Sequence, residues 1–142
     1  MAELNTACGW KFEQRIPSEP DVCAQIVATL LEQLERTKWS NKDIFGIHMA
    51  VEEAILNAIH HGNKCSPTKD VHLMIKICDK EFYASVTDQG SGFDPDEVPD
   101  PTAEENLESA SGRGVMLIKN FVDEVVYNAK GNSVELRKLK TV

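Results

Sequence analysis

The sequence predicts an α+β domain, a two-layer sandwich with about three helices on one face of a mixed, mostly antiparallel sheet. Three observations carry that prediction. Apolar residues recur with helical spacing in two adjoining stretches, one from Val22 towards Thr37 and one from Ile44 to Ile59. They alternate with period two in "VHLMIKICDKEFYASVTD" and again near the C-terminus. Helical and hairpin patterns also fall in separate blocks, and such segregated elements pack as two layers. At 142 residues the chain reads as one domain, residues 1–142, large enough for a real core.

Each element has its own local signal. "WKFEQRI", Trp10 to Ile16, reads as an opening strand that Pro17 ends. Ser18 followed by Asp21 resembles a capping box, with Pro20 tolerated in the first turn. Val22, Ile26, Leu30, Leu31 and Leu34 then form a helical stripe. Ser40 with Asp43 repeats the capping signal. The second helix runs through Ile44, Ile47, Val51, Ala54, Ile55, Ala58 and Ile59, with Gly62 as its expected stop. Val71, Leu73, Ile75 and Ile77 pair with Phe82, Ala84 and Val86 across an Asp79-Lys80 turn as a hairpin. From Gln89 to Ser111 apolar content is low, the mark of a functional or mobile loop. Gly112-Arg113-Gly114 opens a third helix, "VMLIKNFV", and "VDEVVYNA", a Gly131-Asn132 turn and "SVELRKL" close the chain as a second hairpin.

Composition narrows the function. Hydrophobic residues make up 42% and charged residues 27%, a globular balance with no run approaching a membrane span. Fifteen basic against 23 acidic residues leave a net charge of -8, which argues against a nucleic-acid partner, since that needs a basic face. The N-terminus shows no signal-peptide pattern. None of Cys8, Cys23, Cys65 and Cys78 forms a Cys-x-x-Cys pair, so no zinc site is expected. Cys23 and Cys78 read as small core residues, and the chain as cytoplasmic and reduced. His48, His60 and His72 read as surface or partly buried structural residues, and Trp10 and Trp39 as core or interface residues.

Three motifs carry chemistry. In "VEEAILNAIHHGN", Val51 to Asn63, the residues Glu53, Asn57 and His61 are spaced by four and share one helix face. Alone, such a stripe is usually a solvated surface. "DQGSGF", Asp88 to Phe93, ends a strand; Asp88 offers a fixed acceptor and Gly90 and Gly92 allow close backbone approach. "GRGVML", Gly112 to Leu117, puts two glycines before a helix, where free N–H groups and the helix dipole favour a phosphate. Alone, the last two are ordinary turns.

In this order the three motifs resemble the N box and the two glycine boxes of the GHKL ATP-binding superfamily, across roughly Phe12 to Leu139. The "NAIHHGN" form and "GRGVMLIKNFVDEV" are similar to the anti-sigma-factor serine-protein kinases. The resemblance implies a Bergerat-type fold binding Mg²⁺ and ATP. Asn57 matches the Mg²⁺ ligand and Glu53 the general base; His61 matches a site-shaping histidine. Asp88 matches the acceptor for the adenine amino group. Gly90 and Gly92, with Phe93, shape that pocket. Gly112, Arg113, Gly114 and Val115 belong to the phosphate lid. Two departures stand out. Asn132, then Ser133, follow Gly131 where many members have Thr, so either supplies the replacement adenine contact. Ala110 precedes the second box where some kinases have Arg.

The implied function is a serine kinase that phosphorylates an anti-sigma-factor antagonist and sequesters a sigma factor, as a homodimer without a nucleic-acid or membrane partner. The competing reading is an ATP-dependent partner-switching module with little kinase activity. Glu53 favours the enzyme, because binding alone needs no base.

Overall fold

The computed structural model describes residues 8–90 and 119–141. Strand β1 is Cys8–Pro17, helix α1 Pro20–Arg36 and helix α2 Asn41–Asn57, which continues into a π-helical turn, Ala58–Gly62. Strands β2 (Asp70–Cys78), β3 (Glu81–Thr87), β4 (Glu124–Tyr127) and β5 (Ser133–Leu139) follow. The sheet order is β1-β2-β3-β5-β4. Every pairing among the described strands is antiparallel, in keeping with the expected mostly antiparallel sheet. The connections explain it. A single crossover helix would make β2 parallel to β1, but α1 and α2 form a returning pair, so β2 runs back along β1. The connections β2–β3 and β4–β5 are hairpins.

Period-two burial places one face of the sheet inside. Val71, Leu73, Ile75 and Ile77 of β2, Phe82, Ala84 and Val86 of β3, and Val134 and Leu136 of β5 are buried. Against them pack Ile26, Leu30 and Leu34 of α1 and Ile47, Val51, Ile55 and Ile59 along α2. Trp39 completes the core. Each such aliphatic side chain contributes about 1.5–3 kcal/mol by leaving water, so this interface decides where α2 sits. The third helix falls almost wholly outside the described residues, with 119–121 its helical end. The loop from Gln89 to Ser111 also lies outside them beyond Gly90.

Two local expectations need correction. Ser18 does not cap α1. The N-cap is Glu19, with no side-chain cap bond, and the Ser18 hydroxyl donates to the Lys69 carbonyl at 2.7 Å. Ser40 does cap α2, accepting from the Asp43 N–H at 3.1 Å. Cys78 is not a core thiol. Strand alternation turns it away from Ile77, it is half-buried, and it is disulfide-bonded. Cys23 is the buried free cysteine, and Cys65 is exposed and free.

Candidate functional site

The site begins at the end of α2. Its apolar stripe fixes Val51, Ala54, Ile55 and Ala58 in the core, which leaves Glu53 and Asn57 half-buried on the adjoining face. The helix then widens. The Asn63 N–H donates to the Ala58 carbonyl at 2.8 Å, a five-residue step in place of the α-helical four. The exposed His61 lies in this π turn, near enough to Glu53 for its ring to act on the carboxyl electrostatically. Burial, then the neighbouring Glu52 charge, push the Glu53 carboxyl above the usual range, while His61 opposes them. Glu52 itself faces His48, at 3.7 Å.

The facing wall is the chain leaving β3. Asp88 is 9% exposed. Its N–H donates to the Asn132 carbonyl at 2.8 Å, and its own carbonyl accepts from Asn132 Nδ2 at 2.9 Å. Its Oδ1 accepts from the Gly90 N–H at 2.8 Å. Burial raises the Asp88 carboxyl, with the Gly90 N–H, Lys130 and Lys69 acting the other way. The two walls touch through glycines. A Cβ on Gly62 would collide with the Asp88 carboxylate, and one on Gly90 with the Gly62 carbonyl. Gly62 is therefore needed for close approach. It does not end the helix in a left-handed conformation; Asn63 is the C-cap.

The β4–β5 hairpin completes the description. Asn132 Oδ1 accepts from Asn128 Nδ2 at 2.8 Å, while its amide nitrogen holds the Asp88 carbonyl. Ser133 stands one residue further, on the opposite sheet face, with its hydroxyl 2.7 Å from that of Thr87. Of the residues singled out from sequence, Glu53 and Asn57 therefore stand on α2 and His61 on its π turn, whose Gly62 meets Asp88 and Gly90. Gly92, Phe93, Gly112, Arg113, Gly114 and Val115 lie outside the described residues. Sequence reasoning missed Asn63. It is 1% exposed and its Oδ1 accepts from the Gln89 N–H at 2.8 Å. Its one sequence signal is its place directly after Gly62. A separate groove of about 310 Å³ lies between β1 and α1, lined by Trp10, Phe12, Val22 and Ile26, and shares no residue with this site.

Among the described residues no group of three or more His, Cys, Asp or Glu side chains gathers as a metal site. The half-buried Asn57 carboxamide offers one hard oxygen of the kind that Mg²⁺ prefers.

The family described as "Histidine kinase-like ATPase domain" matches residues 16–138. An anti-sigma F factor of Oceanobacillus iheyensis is 36% identical over 136 residues, covering 88% of this chain and 90% of the relative. The serine-protein kinase RsbW of Bacillus subtilis is 27% identical over 136 residues, covering 89% and 84%. Among solved structures, the RsbU and RsbW domains of Rv1364c from Mycobacterium tuberculosis superpose with a TM-score of 0.62 at 17% identity. That likeness covers 94% of this chain and 33% of the longer one, and it bears on the fold alone.

Proposed function

Since the chain belongs to the histidine kinase-like ATPase family, on the side of its anti-sigma-factor members, we propose that it is an ATP-dependent protein serine kinase. Its substrate in this reading is a small anti-sigma-factor antagonist, and its second partner is a sigma factor that it sequesters. A homodimer and a cytoplasmic location belong to the same reading. No described helix is long and apolar enough to cross a membrane.

One observation carries the enzymatic reading. Glu53 stands one helical turn before Asn57, half-buried, with its carboxyl raised by burial and by Glu52. A carboxylate held so takes up a proton more readily than an exposed one. In the proposed reaction the substrate serine hydroxyl attacks the γ-phosphorus. A serine O–P bond forms, the bond from the γ-phosphorus to the β,γ-bridging oxygen breaks, ADP leaves with that electron pair, and Glu53 receives the hydroxyl proton. Mg²⁺ on the phosphates would reduce their repulsion of the attacking oxygen. Most of the acceleration in such transfers is positioning and electrostatics, which a domain of this size can provide. Asp88 is anchored by Gly90 and Asn132, and in this reading its carboxylate accepts the adenine amino group.

The test is to incubate the protein with Mg-ATP and small candidate antagonist proteins and to map the phosphate by mass spectrometry. The expected result is phosphate on one serine or threonine of the antagonist. ATP and partner binding with no phosphate transferred would give the site to a partner-switching module instead.

A further inference from the structure

Asn63 occupies the most enclosed polar position near the site, and no role has yet been attached to it. Its carboxamide is fully committed. Nδ2 donates to Ser18 Oγ at 3.0 Å and to the Asp70 carbonyl at 3.0 Å, and Oδ1 accepts from the Gln89 N–H at 2.8 Å. The orientation of the amide follows from its neighbours. The Asp70 carbonyl requires a donor and the Gln89 N–H requires an acceptor. Ser18 spends its own proton on the Lys69 carbonyl, so it can only accept from Asn63. Gln89 adds a return link, its Oε1 accepting from the Asp70 N–H at 2.6 Å.

These bonds join three segments at one point: the turn before α1, the start of β2, and the chain leaving β3. The last is the one that matters for the ligand. The peptide between Asp88 and Gln89 is held at both ends: Asn132 Nδ2 donates to its carbonyl and Asn63 Oδ1 accepts from its N–H. Between them the Asp88 carboxylate is pressed against Gly62, the residue before Asn63. We infer that Asn63 is a specificity-determining positioning residue: through the Gln89 N–H it fixes the Asp88 carboxylate where it selects a 6-amino purine over a 6-oxo purine. This rests on the ATP-binding reading above. The selection is a matter of donor and acceptor. Adenine presents an N–H donor at C6, whereas hypoxanthine presents a carbonyl that meets a carboxylate with no proton between them. A site built to accept a hydrogen bond rejects the analogue that lacks the donor, but only while the acceptor stays in register.

The experiment measures dissociation constants of Mg-ATP and Mg-ITP by calorimetry on the whole chain, with thermal midpoints alongside. The parent should prefer ATP by at least about tenfold. Asn63→Ala, which removes the acceptor, and Asn63→Ser, whose hydroxyl is too short to reach the Gln89 N–H, should lose most of that preference. If Asn63→Ala does not fold, Asn63→Ser carries the comparison. Asn63→Asp keeps an acceptor for the Gln89 N–H at nearly the same volume, so it should lower the thermal midpoint yet keep the preference. Ser18→Ala should behave likewise. A purely structural role would weaken ATP and ITP together and leave their ratio alone. An unchanged ratio in folded Asn63→Ser overturns the inference, as does a ratio lost equally in Asn63→Asp. If the parent binds Mg-ATP no better than Mg-ITP, the adenine reading fails first and the role of Asn63 with it.

Discussion

Glu53 is a carboxylate kept in surroundings that disfavour its charge, with burial the larger cause and Glu52 the second. Replacing it with Gln removes the proton acceptor at almost constant volume. Phosphorylation of the antagonist by Glu53→Gln should fall about 10²–10⁴-fold while Mg-ATP affinity persists. Glu52→Gln, on the side facing His48, should keep most activity, and a radiolabel transfer assay compares them. Because the Glu53 carboxyl is raised, the acid limb of the rate profile should lie above the ordinary glutamate range. The base is competent above that limb and is lost as pH falls through it. An acid limb that persists unchanged in Glu53→Gln would remove Glu53 from the chemistry. Asn57→Ala should behave oppositely, weakening Mg-ATP binding far more than Glu53→Gln does, since it deletes the proposed metal ligand; calorimetry that shows equal affinities sinks that assignment. Glu53, Asn57 and His61 were legible because helical spacing alone puts them on one face. Asn63 and Asn132 were not, because they act on partners 26 and 44 positions away, a distance no local pattern encodes. Asn132 also illustrates a motif residue whose side chain is spent on the protein, at Asp88 and Asn128, and Ser133 one that alternation turns to the other face.

The π-helical turn from Ala58 to Gly62 is the element on which the site's shape depends. It delivers Gly62 against Asp88 and Asn63 into the core of the hydrogen-bond network. The chain then reverses through Lys64 and Cys65, at φ 53° and 54°, two left-handed residues that each cost roughly 1–2 kcal/mol. The Cys65 N–H offsets part of that by donating to the Ile59 carbonyl at 2.7 Å. In the sequence this stretch reads as a helix that stops at glycine. The stop is real, but the glycine serves a contact with a loop 26 residues away, and the widened turn leaves no compositional trace. Ser18 shows the same limit, since a serine before a helix is read as a cap unless a long-range acceptor competes for it. The π turn makes a sharp demand. Gly62→Ala must displace the Asp88 carboxylate or the turn itself, so ATP affinity should fall by about tenfold or more, the scale of one lost charge-assisted hydrogen bond. Ala58→Gly in the same turn leaves that contact untouched and serves as the comparison for helix destabilisation. Equal ATP affinity in Gly62→Ala and the parent, by calorimetry, would show that Asp88 and Gly62 are not in contact when nucleotide binds.

Across the whole molecule, the two layers and both hairpins were legible, because each rests on a period that the residues print directly. Strand order was not, since β3 neighbours β5 through pairings such as Ala84 with Leu136 that no local signal announces. Closure of the molecule was not legible either. Asp43 reads as half of a capping box, yet its carboxylate is 1% exposed and turns to the C-terminus. Oδ2 accepts from the Thr141 N–H at 2.8 Å, Oδ1 from the Thr141 hydroxyl at 2.6 Å, and the Lys138 ammonium lies 3.4 Å from Oδ1. These contacts tie the start of α2 to the strand that ends the chain, 98 residues later. Burial alone would raise the Asp43 carboxyl, but the two bonds from Thr141 and the charge of Lys138 outweigh it, leaving it below the ordinary aspartate value. The sign follows from linkage. A carboxyl held lower in the folded state than in the unfolded one favours folding above the unfolded value, and that contribution disappears as pH falls through the folded value. Asp43→Asn keeps the volume and removes the charge, which at neutral pH should cost about 1.5–3 kcal/mol, the range for hydrogen bonds to a charged group. For a domain of this size that is a drop in thermal midpoint of roughly 3–10 °C. Scanning calorimetry of both proteins from neutral to strongly acid pH should show the gap at full size down to about the ordinary aspartate value and closing below it. A gap of constant size into strong acid would mean that Asp43 acts by shape and neutral hydrogen bonding, with its charge contributing nothing to the closure between α2 and the C-terminus.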